Sequence, residues 1–430
     1  MYFTFRLLGF GCGASTVTFS HDNSFPLYIP HSASPLLQNL AGKNYNSSPH
    51  ATVNHQTTFT MVAPLITRQP FKTLFILLSS LYTGIRIPFW IVYFIPSFLR
   101  QHPQWSYKQA LVVRILSAFL KTISQAEHGK ATPLKGNVSK GWVVIQPARA
   151  AAYTGVVSKD KQTKPQPLGG TWYPETPKKY TGGDIVLHIH GGAFVVGDGR
   201  QGDSGFTAKM ILKHTSATHA FFPQYRLSCN GARFPAALQD VISSYCYLTE
   251  TLEIPADKIT ISGDSAGANL SMSLLRYIAD EPEAKLPSVG CAWLWSPWVD
   301  PGKSLITDSP YFSSTRHTDY LNDAFGSWGA RTYSPRPETG ITMSHPNICF
   351  IGTAFATQTP LFFSIGECEA LCADMTRVYQ EFKAIPGNKV ELQVQSKAVH
   401  DIVLVGHIVG FENEAAVAAV AANKFLESCK

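Results

Sequence analysis

Lys258-Ile259-Thr260-Ile261-Ser262, then Gly263-Asp264-Ser265-Ala266-Gly267, then Ala268 to Ala279 (ANLSMSLLRYIA) is the stretch on which the fold turns. KITIS reads as a short buried strand, and the last segment carries apolar residues at helical spacing. The G-x-S-x-G run between them must take the chain sharply from strand to helix. That bend leaves little room for side chains, so the flanking glycines are sterically required. It also pushes the Ser265 hydroxyl into the open at a helix N-terminus, where it can serve as a nucleophile. A bare G-x-S-x-G is common by chance; its place between strand and helix makes it informative. Asp264 is the variable residue of the run and is not assigned to the catalytic acid.

Working outward, His190-Gly191-Gly192-Ala193-Phe194 follows the apolar run DIVLHI, Asp184 to Ile189. Small residues there let backbone N–H groups turn toward a developing negative charge. Gly191 and Gly192, with the N–H of Ala266, are the expected oxyanion donors. Taken alone, the same residues would be a plain glycine turn. Further strands are expected at Ile185 to Ile189, Ile259 to Ser262, Ala292 to Ser296 and Leu361 to Ile365. Helices are expected at Phe206 to His214, Ala236 to Thr249, Ala268 to Ala279 and Cys372 to Ala384. This alternation predicts an α/β protein with a mostly parallel central sheet flanked by helices on both faces.

The chain has 430 residues, 45% hydrophobic and 15% charged, enough to bury a sizeable core. Its eight cysteines form no C-x-x-C pair, Cys368 and Cys372 being the closest, which argues against a disulfide scaffold and a zinc site. There is no Walker A loop, no dinucleotide fingerprint and no EF-hand loop. The net charge of +7 is uneven: residues 1–130 carry +8 and the rest −1. The basic excess therefore flanks apolar sequence and lies outside the main body, which favours a membrane surface over nucleic acid as partner.

Three regions are expected. Residues 1–60 form a disordered or irregular extension, 61–130 an apolar helical cap and membrane anchor, and 131–430 the catalytic domain. Within the second, residues 73–99 (TLFILLSSLYTGIRIPFWIVYFIPSFL) are apolar except for Arg86, with Pro88 and Pro96 expected to interrupt the helix. Arg68, Lys72 and Arg100 bracket the run as headgroup contacts would, so it can span or lie on a bilayer; the alternative is a cap over a pocket. Residues 131–180 supply an edge strand or two, one around Trp142 to Ile145.

HGGAF, YRL (Tyr225 to Leu227), FPAALQD (Phe234 to Asp240), GDSAG and SPWVD (Ser296 to Asp300) occur in this order over roughly residues 130–425. Together they resemble the hormone-sensitive-lipase-like branch of the α/β-hydrolase fold, particularly its fungal esterases. Ala193 departs from the commoner motif, which has a third glycine there. The resemblance implies the order Ser, acid, His. The acid is expected at Glu369 within Glu367 to Asp374, because the family's acid stands two residues before a leucine; Glu367 and Asp374 compete. The histidine is expected at His400, after the strand VELQVQ, with His407 a packed helix residue. His188, His190 and the other histidines are read as structural or surface groups, His190 holding the oxyanion loop.

The resemblance implies a serine carboxylic-ester hydrolase with the triad Ser265, His400 and Glu369, needing no metal or cofactor. An apolar small-molecule ester, such as a sterol- or terpene-like acetate, would be the substrate. Two alternatives are acyl transfer or cyclisation by the same triad in natural-product biosynthesis, and ligand binding by a non-catalytic hydrolase scaffold. The last has a counter-argument in His400, which receptors resembling this branch lack. A membrane location such as the endoplasmic reticulum is expected, with the cytoplasm as the alternative. Asn46, Asn137 and Asn269 begin N-x-S/T sequons, Asn269 being inaccessible in its helix, and Trp293, Trp295 and Trp298 are expected in the core.

Overall fold

Successive side chains of a strand point to opposite faces, so the nearly continuous apolar runs call for a sheet with two buried faces. In the computed structural model, residues 64–129, 131–134, 141–306 and 317–430 are described. The extension at 1–60 and the sequons at Asn46 and Asn137 lie outside them. Eight strands form one sheet: β1 Trp142–Ile145, β2 Leu168–Tyr173, β3 Asp184–Ile189, β4 Ala217–Gln224, β5 Ile259–Asp264, β6 Cys291–Trp295, β7 Leu361–Gly366 and β8 Val390–Gln395. Their spatial order is β1-β2-β4-β3-β5-β6-β7-β8. The pairs β1–β2 and β2–β4 are antiparallel; all the others are parallel.

The helices are α1 Phe71–Tyr93, α2 Tyr107–Gln125, α3 Gln201–His214, α4 Ala236–Cys246, α5 Ala266–Asp280, α6 Asp323–Tyr333, α7 Cys372–Lys383, α8 Ile402–Val409 and α9 Glu412–Cys429. Ile185, Leu187, Phe221, Leu294 and Phe363 face a core shared with α4, α5 and α7. The alternating Val186, Phe222, Trp293, Trp295 and Phe362 face a second core with α3 and α9. Both faces are thus covered, as parallel sheets require.

The expected strands, Trp142 to Ile145 and VELQVQ included, and the four expected helices are present, with ends shifted by up to five residues. One helix is shorter than expected: Ala236–Cys246 gives way to a π-turn at Tyr247–Thr251. β4 and α6 were not foreseen. β4 contains His219 and Pro223, which dilute its apolar pattern; Pro223 stands opposite Gly170 of antiparallel β2.

Pro88 does not interrupt its helix, contrary to expectation, since α1 runs through it to Tyr93. Pro88 lacks the N–H that the Gly84 carbonyl would accept, and both residues are exposed, so water can donate to that carbonyl in its place. The other expected break holds, because Pro96 lies beyond the helix end. Helix α2 starts with a capping box, the Gln109 N–H donating to Ser106 Oγ and the Ser106 N–H to Gln109 Oε1. It packs on α6 and α8. The Trp105 indole donates to Lys397 O at 2.7 Å and Gln109 Nε2 to Gly410 O at 2.9 Å, tying this layer to the loops around β8 and α8.

Candidate active site

A parallel sheet brings the C-terminal ends of its strands to one edge, where the following loops converge. Ser265 stands there after β5 with φ +52° and ψ −114°, strained for a residue with a side chain. The glycines on either side explain why the bend is possible. A Cβ on Gly263 would lie 2.5 Å from the Gly267 carbonyl group, and one on Gly267 would lie 2.6 Å from His190 O and closer still to Ile189 O. The bend is pinned at both ends: Ser265 N–H donates to Trp295 O at 2.9 Å, and Trp298 N–H donates to Ser265 O at 3.0 Å.

His400 and Glu369 meet at the same edge, beyond β8 and β7. His400 Nδ1 lies 2.8 Å from Glu369 Oε2, both side chains being buried. The second carboxylate oxygen accepts from Ser296 Oγ at 2.7 Å and from the Gly366 N–H. Ser296 Oγ in turn accepts the Asp401 N–H at 3.0 Å, so one hydroxyl spans both loops. Burial alone would depress the His400 imidazole, but the hydrogen bond and charge of Glu369 outweigh it and leave the group above its ordinary range. The competing carboxylates are elsewhere: Glu367 accepts from Ser396 and Lys397 at the surface, and Asp374 pairs with Lys303.

Asp264 turns away from the imidazole of His400 to His188, with Oδ1 2.9 Å from His188 Nε2. Its other oxygen accepts the Gly191 N–H at 2.8 Å. Gly191 therefore does not offer its N–H to the site, which corrects its expected oxyanion role. The following residues turn instead, Gly192 at φ +99° and Ala193 at φ +51°, and Ala193 lines the pocket at Ser265. His190 does hold this loop, with Nδ1 2.8 Å from Gly191 O and its ring stacked on Tyr225 at 4.3 Å.

Burial works against ionisation of Asp264, yet the His188 hydrogen bond and charge bring its carboxyl below the ordinary range. Its buried neighbour Asp401 is pushed well above, by burial first and then by Asp264.

Three positions carry more than the sequence revealed. His188 anchors Asp264, Ser296 joins the acid loop to the histidine loop, and Asp319 grips both loops. The Asp319 carboxylate accepts the N–H of Ala370 at 2.8 Å and that of His400 at 3.3 Å. Only Ser296 had a signal, within SPWVD.

The pocket at Ser265 is lined by Ala193, Trp298, Leu321, Asn322, Phe325 and Leu371 and has a volume of about 20 Å³. Trp298 is thus buried and also a wall of the site, while Trp293 and Trp295 are core as expected. Asn269 is fully buried in α5, as expected for an inaccessible sequon. His407 lies on α8 with its ring 4.3 Å from that of Phe206, though on the exposed side.

Fold and site together define the class as α/β-hydrolase. The chain belongs to the alpha/beta hydrolase fold family, whose model it matches over residues 186–404, half its length. It is 26% identical over 271 residues to an ethyl acetate hydrolase of Pseudomonas putida, a match covering 62% of this chain and 80% of that protein. It is 29% identical over 206 residues to an acetyl-hydrolase of Streptomyces hygroscopicus, covering 46% of this chain and 61% of that protein, less than two thirds of its length. A hormone-sensitive lipase from a metagenome library shares the fold, with a TM-score of 0.50 at 22% identity over 73% of this chain and 92% of that one.

Proposed function

We propose that this enzyme hydrolyses short-acyl carboxylic esters with Ser265 as nucleophile, His400 as base and Glu369 as the group that orients the imidazole. The observation carrying this reading is the buried 2.8 Å pair of His400 and Glu369 at the strand edge that also presents Ser265. With Nδ1 engaged, Nε2 is the nitrogen left to take the serine proton. The hydroxyl oxygen attacks the ester carbonyl, and the tetrahedral oxyanion is met by the N–H groups of Gly192, Ala193 and Ala266. His400 then returns the proton to the leaving alcohol, and a water activated by the same imidazole releases the acid.

The acyl side is small. The free volume of about 20 Å³ beside Ser265 is about that of one water, which favours a short acyl group such as acetyl over a long chain. Its walls, Trp298, Leu321, Phe325 and Leu371, are apolar. One relative named as an ethyl acetate hydrolase and another named as an acetyl-hydrolase agree with this size.

The α1–α2 layer caps the body and rests on a lipid surface. Leu74, Leu77, Leu78, Leu81, Ile85, Phe89 and Val92 recur at helical spacing on α1 and are 53–68% exposed, an apolar face far beyond scattered surface residues. Because α1 also packs along α2 and buries Trp90, it lies in the plane of the interface.

The test is labelling with a fluorophosphonate, followed by a p-nitrophenyl ester series from acetate to decanoate. Label on wild type but not on Ser265→Ala, with acetate turned over fastest, is the expected result. Labelling of the alanine variant, or a decanoate optimum, would refute the assignment. A product that is mainly acylated acceptor alcohol would mark acyl transfer.

A further inference from the structure

The cations that flank α1 in sequence are largely used inside the protein. Arg100 donates to the carbonyls of Phe94, Ile95 and Trp105, and Lys72 Nζ donates to Glu127 O. Arg86 and Arg114 are different. Both guanidiniums lie against the Trp90 ring, at 4.8 and 5.4 Å, and Arg86 also lies over Tyr82 at 5.0 Å. Neither forms an ion pair with a carboxylate among the described residues. Both are partly buried, and burial followed by the Arg86 charge holds the Arg114 guanidinium below its ordinary range. Two like charges brought together at one aromatic ring, in partly desolvated surroundings, are unfavourable until an anion joins them.

They face a cavity of about 720 Å³ between α1, α2 and the start of α6. Lys121 adds a third cation to its wall, His317 an imidazole, and Asp323 a single exposed carboxylate. Leu321 and Asn322 line both this cavity and the pocket at Ser265, so the two spaces share a wall. Tyr82 belongs at once to the cavity lining and to the exposed surface of α1, which places the cavity at the border of the apolar face. A group with an apolar tail on that face and an anionic head within the cavity would meet both.

From this arrangement we propose that Arg86 and Arg114 form a binding site for the headgroup phosphate of an anionic phospholipid. Guanidiniums suit a phosphate because their paired N–H groups match its oxygens. The proposal rests on the lipid-surface reading of α1, and each has its own failure in the test below.

Sedimentation with vesicles of phosphatidylcholine alone, and of phosphatidylcholine containing phosphatidic acid, is compared for wild type, Arg86→Gln/Arg114→Gln and a control of equal charge loss, Lys178→Gln/Lys179→Gln. Unfolding midpoints establish that each variant folds. Wild type is expected to bind both vesicles, the acidic ones more tightly. The arginine double variant is expected to lose roughly 30-fold on acidic vesicles only, from two interfacial charges. The lysine control should lose far less.

Equal losses in both double variants would reduce the effect to net charge and overturn the site. So would identical binding of wild type to the two vesicles, while leaving the apolar face standing. Absence of wild-type binding to any vesicle would overturn the lipid-surface reading and the site with it. Thermal protection by inorganic phosphate, lost in Arg86→Gln/Arg114→Gln with no vesicle effect, would replace the lipid by a free anion.

Discussion

Gly267→Ala separates local helix preference from the demands of the catalytic bend. Gly267 stands in the first turn of α5, where replacing glycine by alanine ordinarily stabilises a helix by about 0.5–1 kcal/mol. The surroundings reverse that sign. The new methyl would stand 2.6 Å from His190 O and nearer to Ile189 O, inside the distance real Cβ atoms keep. Both obstacles are backbone carbonyls at the end of β3, so no side-chain rotation relieves them. Either α5 or the loop after Ile189 must move by something on the order of 1 Å, at about 1–3 kcal/mol for overpacking.

The moving parts are Ser265 on one side and Gly192 and Ala193 on the other. With Ser265 as the proposed nucleophile, a displacement of that size should cost on the order of 100-fold in rate. Urea melts and p-nitrophenyl acetate turnover on the purified variant would read both effects. A variant as stable as wild type and fully active would refute the steric account of the bend, and with it the claim that the glycine is required there.

Glu369→Gln should keep the packing but remove the charge that orients His400, lowering kcat by roughly 10³–10⁴-fold with little change in unfolding midpoint. Because Glu369 raises the His400 imidazole above its ordinary range, the acid limb of kcat/KM in wild type should fall at a pH above 6.5. The same protonation favours the fold: its contribution is fully present below the ordinary histidine value and is lost as pH rises through the raised one. Activity and melting temperature should therefore move in opposite directions across that window, and parallel curves would contradict the pairing. Asp319→Asn leaves one backbone N–H of the two loops without its acceptor and should lower kcat about 10- to 100-fold with KM nearly constant. Phe325→Ala opens the wall opposite Ser265, so the ester preference should shift from acetate toward butyrate or hexanoate, with a stability loss of up to about 3–5 kcal/mol.

Legibility followed the range over which each cause acts. The bend at Ser265, the strands before it and after Asp184, and the helix from Ala268 were readable because turn sterics and apolar period act within a few residues. β4 was not, because His219 and Pro223 hide its pattern and its neighbours are 47 or more residues away in sequence on the β2 side. Arg86 looked like a charge stranded in an apolar span until the fold set Trp90 and Arg114 beside it. The order of motifs narrowed the acid to a segment of eight residues, but periodicity cannot rank Glu367, Glu369 and Asp374.

Sequence alone determined the strand–turn–helix that carries Ser265, the doubly covered sheet and the apolar character of the N-terminal layer, since each arises from short-range sterics or from patterning; Ser265 itself is buried rather than open to solvent. That Ser296 and Asp319 tie the loops of Glu369 and His400, that the Gly191 N–H is spent on Asp264, and how small the pocket at Ser265 is were decided by the tertiary structure alone, whereas Glu369 was already favoured by the family resemblance. Those outcomes depend on partners that lie far apart in the chain until its closure brings them together, a distance over which local preference carries no information.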